Sequence, residues 1–191
     1  EGTITRRTDY TYSGNKLTKK EIWSDADNGG ATKFTTTHAY DTSGRREKTV
    51  NAVGTIRRWT YDALHRLKSL AVGTVDPTNM TIVKELFYDD EEGGTADPNS
   101  KGRLTRRRLR VSYLGGNERD TDLVYDYRGR ATAVKEPESG KETRTYTNRN
   151  QVSVTERRDI AGGEPGTLMA KTQNFYDAWG QTYEVRTFGV S

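Results

Sequence analysis

One short motif punctuates this sequence from end to end, and its recurrence restricts the fold more than any other feature does. Tyr40-Asp41-Thr42-Ser43-Gly44-Arg45 returns as Tyr125-Asp126-Tyr127-Arg128-Gly129-Arg130, with Tyr, Asp, Gly and Arg at the same four places. Tyr61-Asp62-Ala63-Leu64-His65-Arg66 keeps all but the glycine, and Tyr176-Asp177-Ala178-Trp179-Gly180-Gln181 keeps the glycine but has Gln for Arg. Tyr146-Thr147-Asn148-Arg149-Asn150-Gln151 is a polar echo. Two further copies are deformed: Tyr12-Ser13-Gly14-Asn15-Lys16 is one residue short, and a polar insert from Asp90 to Lys101 separates Tyr88-Asp89 from Gly102-Arg103. That makes seven registers in 191 residues.

Each residue type in the register has a local reason to be there. Glycine, or asparagine in its place, tolerates the positive φ of a tight turn, and an aspartate can close that turn through its carboxylate. The motif therefore predicts a turn between strands. The tyrosine before it ends a strand, where its ring can stack on the ring of the next copy while its hydroxyl reaches water or backbone. The spacing from Tyr40 to Tyr61, and again from Tyr125 to Tyr146, is 21 residues, enough for two strands and two turns.

A repeat array also reconciles the composition with an ordered chain. Only 31% of residues are hydrophobic and 30% are charged, too little apolar surface for a central core. Stacked repeats each bury a small stripe against their neighbours, and the eleven tyrosines supply it. The chain has no cysteine, which excludes disulfides and thiolate metal sites, and it has no apolar run long enough to span a membrane as a helix. It opens mid-pattern at Glu1 without a signal peptide, and is read as a piece of a much larger protein.

Strands are expected over 3–12, 17–23, 33–40, 47–51, 55–61, 67–72, 81–88, 104–114, 122–127, 131–136, 141–146, 152–158, 168–176 and 183–188, with turns or loops between them. No window carries an apolar helical stripe, so almost no helix is expected. The fold class is all-β: an antiparallel meander that coils into a spiral sheet or a segment of a β-shell, with residues 1–191 forming one repeat array. An open array leaves an exposed edge strand.

Repetition decides how the candidate sites are read. Asp41, Asp62, Asp89, Asp126 and Asp177 offer carboxylates for acid–base chemistry, but a turn residue must recur with its turn whereas a catalytic pair need not. His38 and His65 hold different places in the repeat and have no recognisable Ser or Cys partner. Asp25 to Gly30 faintly resembles a calcium loop, but Gly29 stands fifth and Thr36 occupies the place of the twelfth-position glutamate. Neither a catalytic nor a metal site is assigned, and no cofactor is expected.

Arg106, Arg108 and Arg110 alternate onto one strand face, where they can meet phosphates or sulfated sugars or pair with acids across the sheet. With a net charge of only +4 and the acids dispersed among the bases, pairing is the favoured reading and nucleic acid is not an expected partner. Trp23, Trp59 and Trp179 complete the set of candidate ligand-facing side chains.

The pattern Tyr-Asp, variable residues, Gly-Arg, strand, glycine turn, strand and next tyrosine resembles the YD repeat of the Rhs family. Relatives in that family include bacterial wall-associated proteins, the shell components of insecticidal Tc toxins, and teneurins. Gly44, Arg45, Gly54, Trp59, Tyr61 and Asp62 follow the cycle closely. The structural repeat positions are Tyr12, Tyr40, Asp41, Gly44, Arg45, Tyr61, Asp62, Arg66, Tyr88, Asp89, Gly102, Arg103, Tyr125, Asp126, Gly129, Arg130, Tyr146, Tyr176, Asp177 and Gly180. The short first copy, the split fourth, and Thr147 with Asn150 depart from the pattern.

The resemblance implies a secreted or surface protein whose repeats wind into a hollow shell, often around a C-terminal toxic domain. Self-cleavage in that family belongs to a region downstream of the repeats, and no counterpart of it occurs here. The expected role is a non-enzymatic shell wall that encapsulates and delivers a toxin, with neighbouring repeats and an enclosed toxin domain as partners. The alternative is a cell-surface adhesion or carbohydrate-binding module that meets surface glycans through exposed Tyr, Trp and Arg side chains.

Overall fold

The computed structural model describes residues 6–24, 32–89, 99, 101–110, 118–136, 140–160 and 166–189. Among them every regular element is a β-strand, and the strands pair antiparallel in chain order as a 14-stranded meander. The calcium-like loop at 25–30, the insert at 90–98 and 100, the turns at 115–117, 137–139 and 161–165, and the expected strand residues 3–5 and 111–114 lie outside the described residues.

The chain divides into two units, Glu1–Glu85 and Leu86–Ser191. In the first, β1 (Arg6–Ser13), β2 (Lys16–Ser24), β3 (Lys33–Tyr40), β4 (Arg46–Val50), β5 (Ile56–Tyr61) and β6 (Leu67–Val75) pair in succession, and β6 pairs with β7 (Asn79–Tyr88). In the second, β8 (Leu104–Arg110), β9 (Glu118–Tyr125), β10 (Ala131–Lys135), β11 (Gly140–Tyr146), β12 (Val152–Asp159), β13 (Thr167–Tyr176) and β14 (Thr182–Gly189) do the same. In a meander alternate turns share an end, so within each unit all the motif turns lie at one end of the strands.

All fourteen expected strands are present, with limits that shift most at β6, β7 and β9, the last beginning at Glu118 rather than at Asp122. The turn expected over 73–79 contracts to 76–78, because β6 runs on to Val75 and β7 starts at Asn79. Strand β9 stops at Tyr125, since the Asp126 N–H donates to the Arg130 carbonyl and the chain is already turning.

Neither unit has a conventional core. Among the described residues the buried ones are Ile56, Leu86, Thr105 and Thr121, and no described side chain is fully enclosed. Cohesion comes from cross-strand pairs on the two faces. In the first unit Ile22 faces Phe34 and Trp59 faces Leu70 on the face that also carries Tyr40 and Tyr61. On the opposite face Glu21 holds Lys19 and Lys33 at 3.2 and 3.0 Å, and Asp76 bridges Lys48 and Arg58 at 3.5 and 2.6 Å.

A register shift recurs where each strand reaches its motif tyrosine. One extra residue enters the partner strand opposite Tyr12, Tyr40, Tyr61, Tyr125, Tyr146 and Tyr176, namely Thr18, Glu47, Lys68, Thr132, Ser153 and Tyr183. Such a bulge adds local twist and re-aims the side chains beside it. Thr18, Thr132 and Ser153 use their hydroxyls to bond the carbonyls of Thr11, Val124 and Thr145, at 3.1, 3.3 and 3.1 Å.

Candidate functional site

The motif turns are built from one set of bonds. In the copy that begins at Tyr61, the Asp62 N–H donates to the Arg66 carbonyl at 2.9 Å and the His65 N–H to the Asp62 carbonyl at 3.0 Å. The carboxylate then accepts the Leu64 N–H, the Arg66 N–H and Arg66 Nε at 2.9, 2.8 and 2.6 Å. Asp126 does the same for Arg128 N–H, Arg130 N–H and Arg130 Nε at 2.9, 3.0 and 2.7 Å, and Asp41 accepts the Arg45 N–H and Nε at 2.8 and 2.6 Å.

These bonds set the acidity of the carboxyls. The Arg130 guanidinium, with the Arg130 and Arg128 amides, holds Asp126 below the usual aspartate range. At Asp41 and Asp62 partial desolvation pulls the other way, and the Arg45 and Arg66 amides and guanidinia outweigh it. A carboxylate committed to two amides and a guanidinium is a poor proton acceptor at neutral pH.

The fourth turn position is left-handed whatever occupies it. Gly44, Gly129 and Gly180 have φ of 80°, 77° and 86°, and His65 and Asn150 take 65° and 67°. His65 therefore keeps the turn at some conformational cost, and its Nδ1 lies 2.9 Å from Arg45 Nη1 of the preceding turn. Glycine has a second use at Gly44 and Gly129, where a Cβ would press on Lys16 Nζ, 2.6 Å away, and on the Arg103 guanidinium.

Two of the departures from the motif preserve its geometry. Thr147 replaces aspartate with its hydroxyl, which accepts the Arg149 and Gln151 N–H groups at 3.2 Å each. The split copy closes across its insert, since the Asp89 N–H donates to the Arg103 carbonyl at 3.2 Å and the Asp89 carboxylate accepts the Gly102 N–H. Asn51, at the other end of the strands, builds the same turn: its side-chain oxygen accepts the Val53 and Thr55 N–H groups at 3.2 and 2.8 Å, and Gly54 has φ of 81°. The sequence reading placed a hairpin there but missed the shared chemistry, which Asn three residues before Gly signals.

Successive turns are joined through the tyrosines. The ring does not stack on the ring of the next copy as expected; it lies against the cation of the preceding turn. Lys16, Arg45, Arg103 and Arg130 sit 5.6, 4.4, 5.5 and 4.5 Å from the ring centres of Tyr40, Tyr61, Tyr125 and Tyr146. The hydroxyls of these tyrosines then donate to the carbonyls of Leu17, Arg46, Leu104 and Ala131, at 2.9, 2.8, 2.8 and 2.8 Å. Tyr176 repeats the bond to Val152 at 2.7 Å, with Gln151 in the cation's place bonding the Gly180 carbonyl at 2.7 Å. Motif turns are two strands, about 10 Å, apart, too far for direct ring contact but within reach of an arginine.

The candidate ligand-facing residues separate. Arg106 stands opposite Asp122, Arg108 opposite Asp120, and Arg110 opposite Glu118. Their Nε atoms reach those acids at 2.6, 2.9 and 3.1 Å, and Arg108 also covers the Phe87 ring at 5.3 Å. Trp23 is flanked by Arg7 and Lys33 at 5.0 and 5.1 Å and donates its indole N–H to Asp9 at 2.9 Å. Trp59 is half-buried, whereas Trp179 at a turn tip is 86% exposed. Two shallow depressions of about 290 and 320 Å³ share Gly140 and Arg157 in their linings, and neither encloses a motif residue. Among the described residues no group of three or more His, Asp or Glu side chains is placed to hold a metal ion, and no helix is long and apolar enough to cross a membrane.

Fold and turns together define a class: an all-β repeat array whose recurrent residues are spent on joining one repeat to the next. No family model matches the sequence, and no curated protein is similar to it. Among solved structures the chain is similar to TcdB2-TccC3 without its hypervariable C-terminal region, at 14% identity and a TM-score of 0.49 over 96% of this chain and 11% of that one. It is also similar to the TcdB2-TccC3-Cdc42 structure (13%, TM-score 0.32, 96% of this chain and 15% of that one). A third is a Photorhabdus luminescens Tc holotoxin pore carrying a TccC3 mutation (13%, TM-score 0.32, 94% and 14%). The chain thus spans less than a sixth of the length of each of these.

Proposed function

We propose that this chain is a structural wall segment of a YD-repeat protein of the Rhs type, one that encloses and delivers a C-terminal toxin from a secreted or cell-surface parent. The observation that carries this reading is the tyrosine ladder, in which ring-to-cation contact and hydroxyl-to-carbonyl bond repeat from turn to turn despite changes in the motif. Charged and aromatic groups that would serve chemistry in an enzyme are occupied in holding neighbouring repeats, so the proposed role is non-catalytic. Neighbouring repeats and an enclosed toxin domain are its proposed partners. The pairing of Arg106, Arg108 and Arg110 with acids argues against a polyanion site.

The test is to read the parent reading frame from the source DNA. A frame several times longer, with more copies of the motif and an unrelated C-terminal domain, supports the wall. A frame closing soon after Ser191 leaves too few repeats to enclose a domain and favours the second reading, a surface module that binds glycans. One observation speaks for that second reading: Trp179 and Tyr127 stand 86% and 76% exposed at turn tips of the second unit. Stacking of a sugar on Trp179 would shift tryptophan fluorescence on glycan titration.

A further inference from the structure

The two faces of the first unit differ in charge. Strand alternation puts Asp9, Glu21 and Glu85 on the face away from the motif tyrosines. There Asp9 holds Arg7 at 3.1 Å, and Glu21 and Asp76 take up Lys19, Lys33, Lys48 and Arg58, so that face neutralises its own cations. The remaining strand acid of the unit among the described residues is Glu47. It stands beside Arg46 at the bulge opposite Tyr40, where the two balance in charge.

The tyrosine face carries cations without matching acids. Lys20 faces Thr36, Arg57 faces Thr49 and Val72, and Lys84 faces Leu70, all on the side of Phe34 and Trp59. Lys20 rests 5.8 Å from the centre of the Tyr10 ring, and among the described residues none of the three cations holds an ion pair. His38 shares this face, with Nδ1 2.9 Å from Thr49 Oγ1. Burial, and after it the nearby Arg46, hold its ring below the ordinary histidine range, so at neutral pH it adds no charge. Between the cations Arg57 and Phe34 are exposed, and Trp59 and Leu70 are half-buried.

A surface that sets arginine among aromatic and aliphatic side chains and leaves acids out has the composition of the centre of a protein–protein interface. Lys20, Arg57 and Lys84 stand on β2, β5 and β7, about 24 Å apart from first to last along the sheet, which lies within the width of a standard interface. Dispersed among apolar and hydroxyl groups, they do not form the dense row of cations that tracks a phosphate backbone. We infer that this face of the first unit docks an acidic protein surface, whose carboxylates meet Lys20, Arg57 and Lys84 while its apolar side chains pack on Phe34, Trp59 and Leu70. The inference goes beyond the wall reading: its failure leaves the reading-frame test untouched, and a short reading frame leaves a separate acidic protein as the partner.

Fluorescence anisotropy of a labelled oligoglutamate peptide, titrated with the whole chain at low ionic strength, tests it. The wild type should bind saturably, and added salt should weaken binding. Lys20→Gln/Arg57→Gln/Lys84→Gln should weaken it about tenfold. Lys19→Gln/Lys48→Gln/Arg58→Gln removes the same charge from the opposite face and should weaken it by about threefold at most. Arg57→Glu alone, at an exposed position without an ion pair, should weaken binding about fivefold at an unchanged melting temperature, a reading that stands even if the triple variant folds poorly. No saturable binding by the wild type, equal losses in the two triple variants, or tighter binding of a heparin oligosaccharide or oligo-dT of equal charge would each overturn the inference.

Discussion

Arg45 lies 4.4 Å from the centre of the Tyr61 ring while its Nε is fixed at 2.6 Å by Asp41. One guanidinium therefore closes its own turn and seats the tyrosine of the next. The strand-end tyrosine, the turn aspartate and the following arginine act as one unit spread over two repeats, which explains why they recur together.

This division of labour predicts unequal losses among tyrosines. Tyr61→Phe removes the bond to the Arg46 carbonyl and should cost about 1 kcal/mol, and Tyr61→Ala about 2 kcal/mol or more, by urea denaturation. Tyr127→Ala changes a side chain that is 76% exposed at a turn tip and should stay within about 0.5 kcal/mol of wild type. Equal losses at Tyr61 and Tyr127 would place the ladder in the wrong register.

The left-handed turn position separates conformation from contact. Gly54→Ala meets open space, so its cost is that of positive φ alone, about 1 kcal/mol. Gly129→Ala carries that cost and also displaces Arg103 from above the turn, so it should lower the thermal midpoint further. His65→Gly relieves the left-handed strain and should stabilise by up to about 1 kcal/mol, less the bond to Arg45.

Acid should loosen the turns. The carboxyls of Asp41, Asp62 and Asp126 are held below their unfolded value by arginine and backbone N–H groups. Between the unfolded value, about 3.9, and the lower folded values, the unfolded chain binds more protons and stability falls as pH falls. Their contribution is full above that window and lost below it. Urea midpoints measured through pH 5 to 2 should drop in wild type and drop less in an Asp62→Asn/Asp126→Asn variant, which is weaker at neutral pH.

The strand of arginines should be inert toward polyanions. Replacing Arg106, Arg108 and Arg110 together by Gln is expected to change retention on a heparin column no more than three other exposed arginines replaced together. A selective loss of retention would show that these side chains leave Asp122, Asp120 and Glu118 for a ligand.

How much of this was legible in the sequence follows from the range of each interaction. Turns and strands were readable because their causes are local: Asp62 and Arg66 lie within one turn, and Gly44 or Asn150 announces positive φ by residue type. The opposition of Arg106 to Asp122 was readable as one of two alternatives, since alternation gives the face but not the partner. What covers Tyr61 was not readable, because Arg45 reaches it only through the register between strands β4 and β5. Nor was the bulge at Thr18, Thr132 and Ser153, whose hydroxyl-to-carbonyl bonds span two strands. His65 stands where other copies have glycine, and only its φ of 65° shows that the turn was kept.

The central claim is that cation and tyrosine are energetically coupled from one repeat to the next, and a double-mutant cycle tests it most directly. Arg130→Met, Tyr146→Leu and the double variant would be compared with wild type by equilibrium denaturation. The ladder predicts a coupling of about 0.5 to 1 kcal/mol between residues placed 4.5 Å apart. Strict additivity of the two substitutions would contradict it, and the repeats would then be held together without coupling between ring and cation.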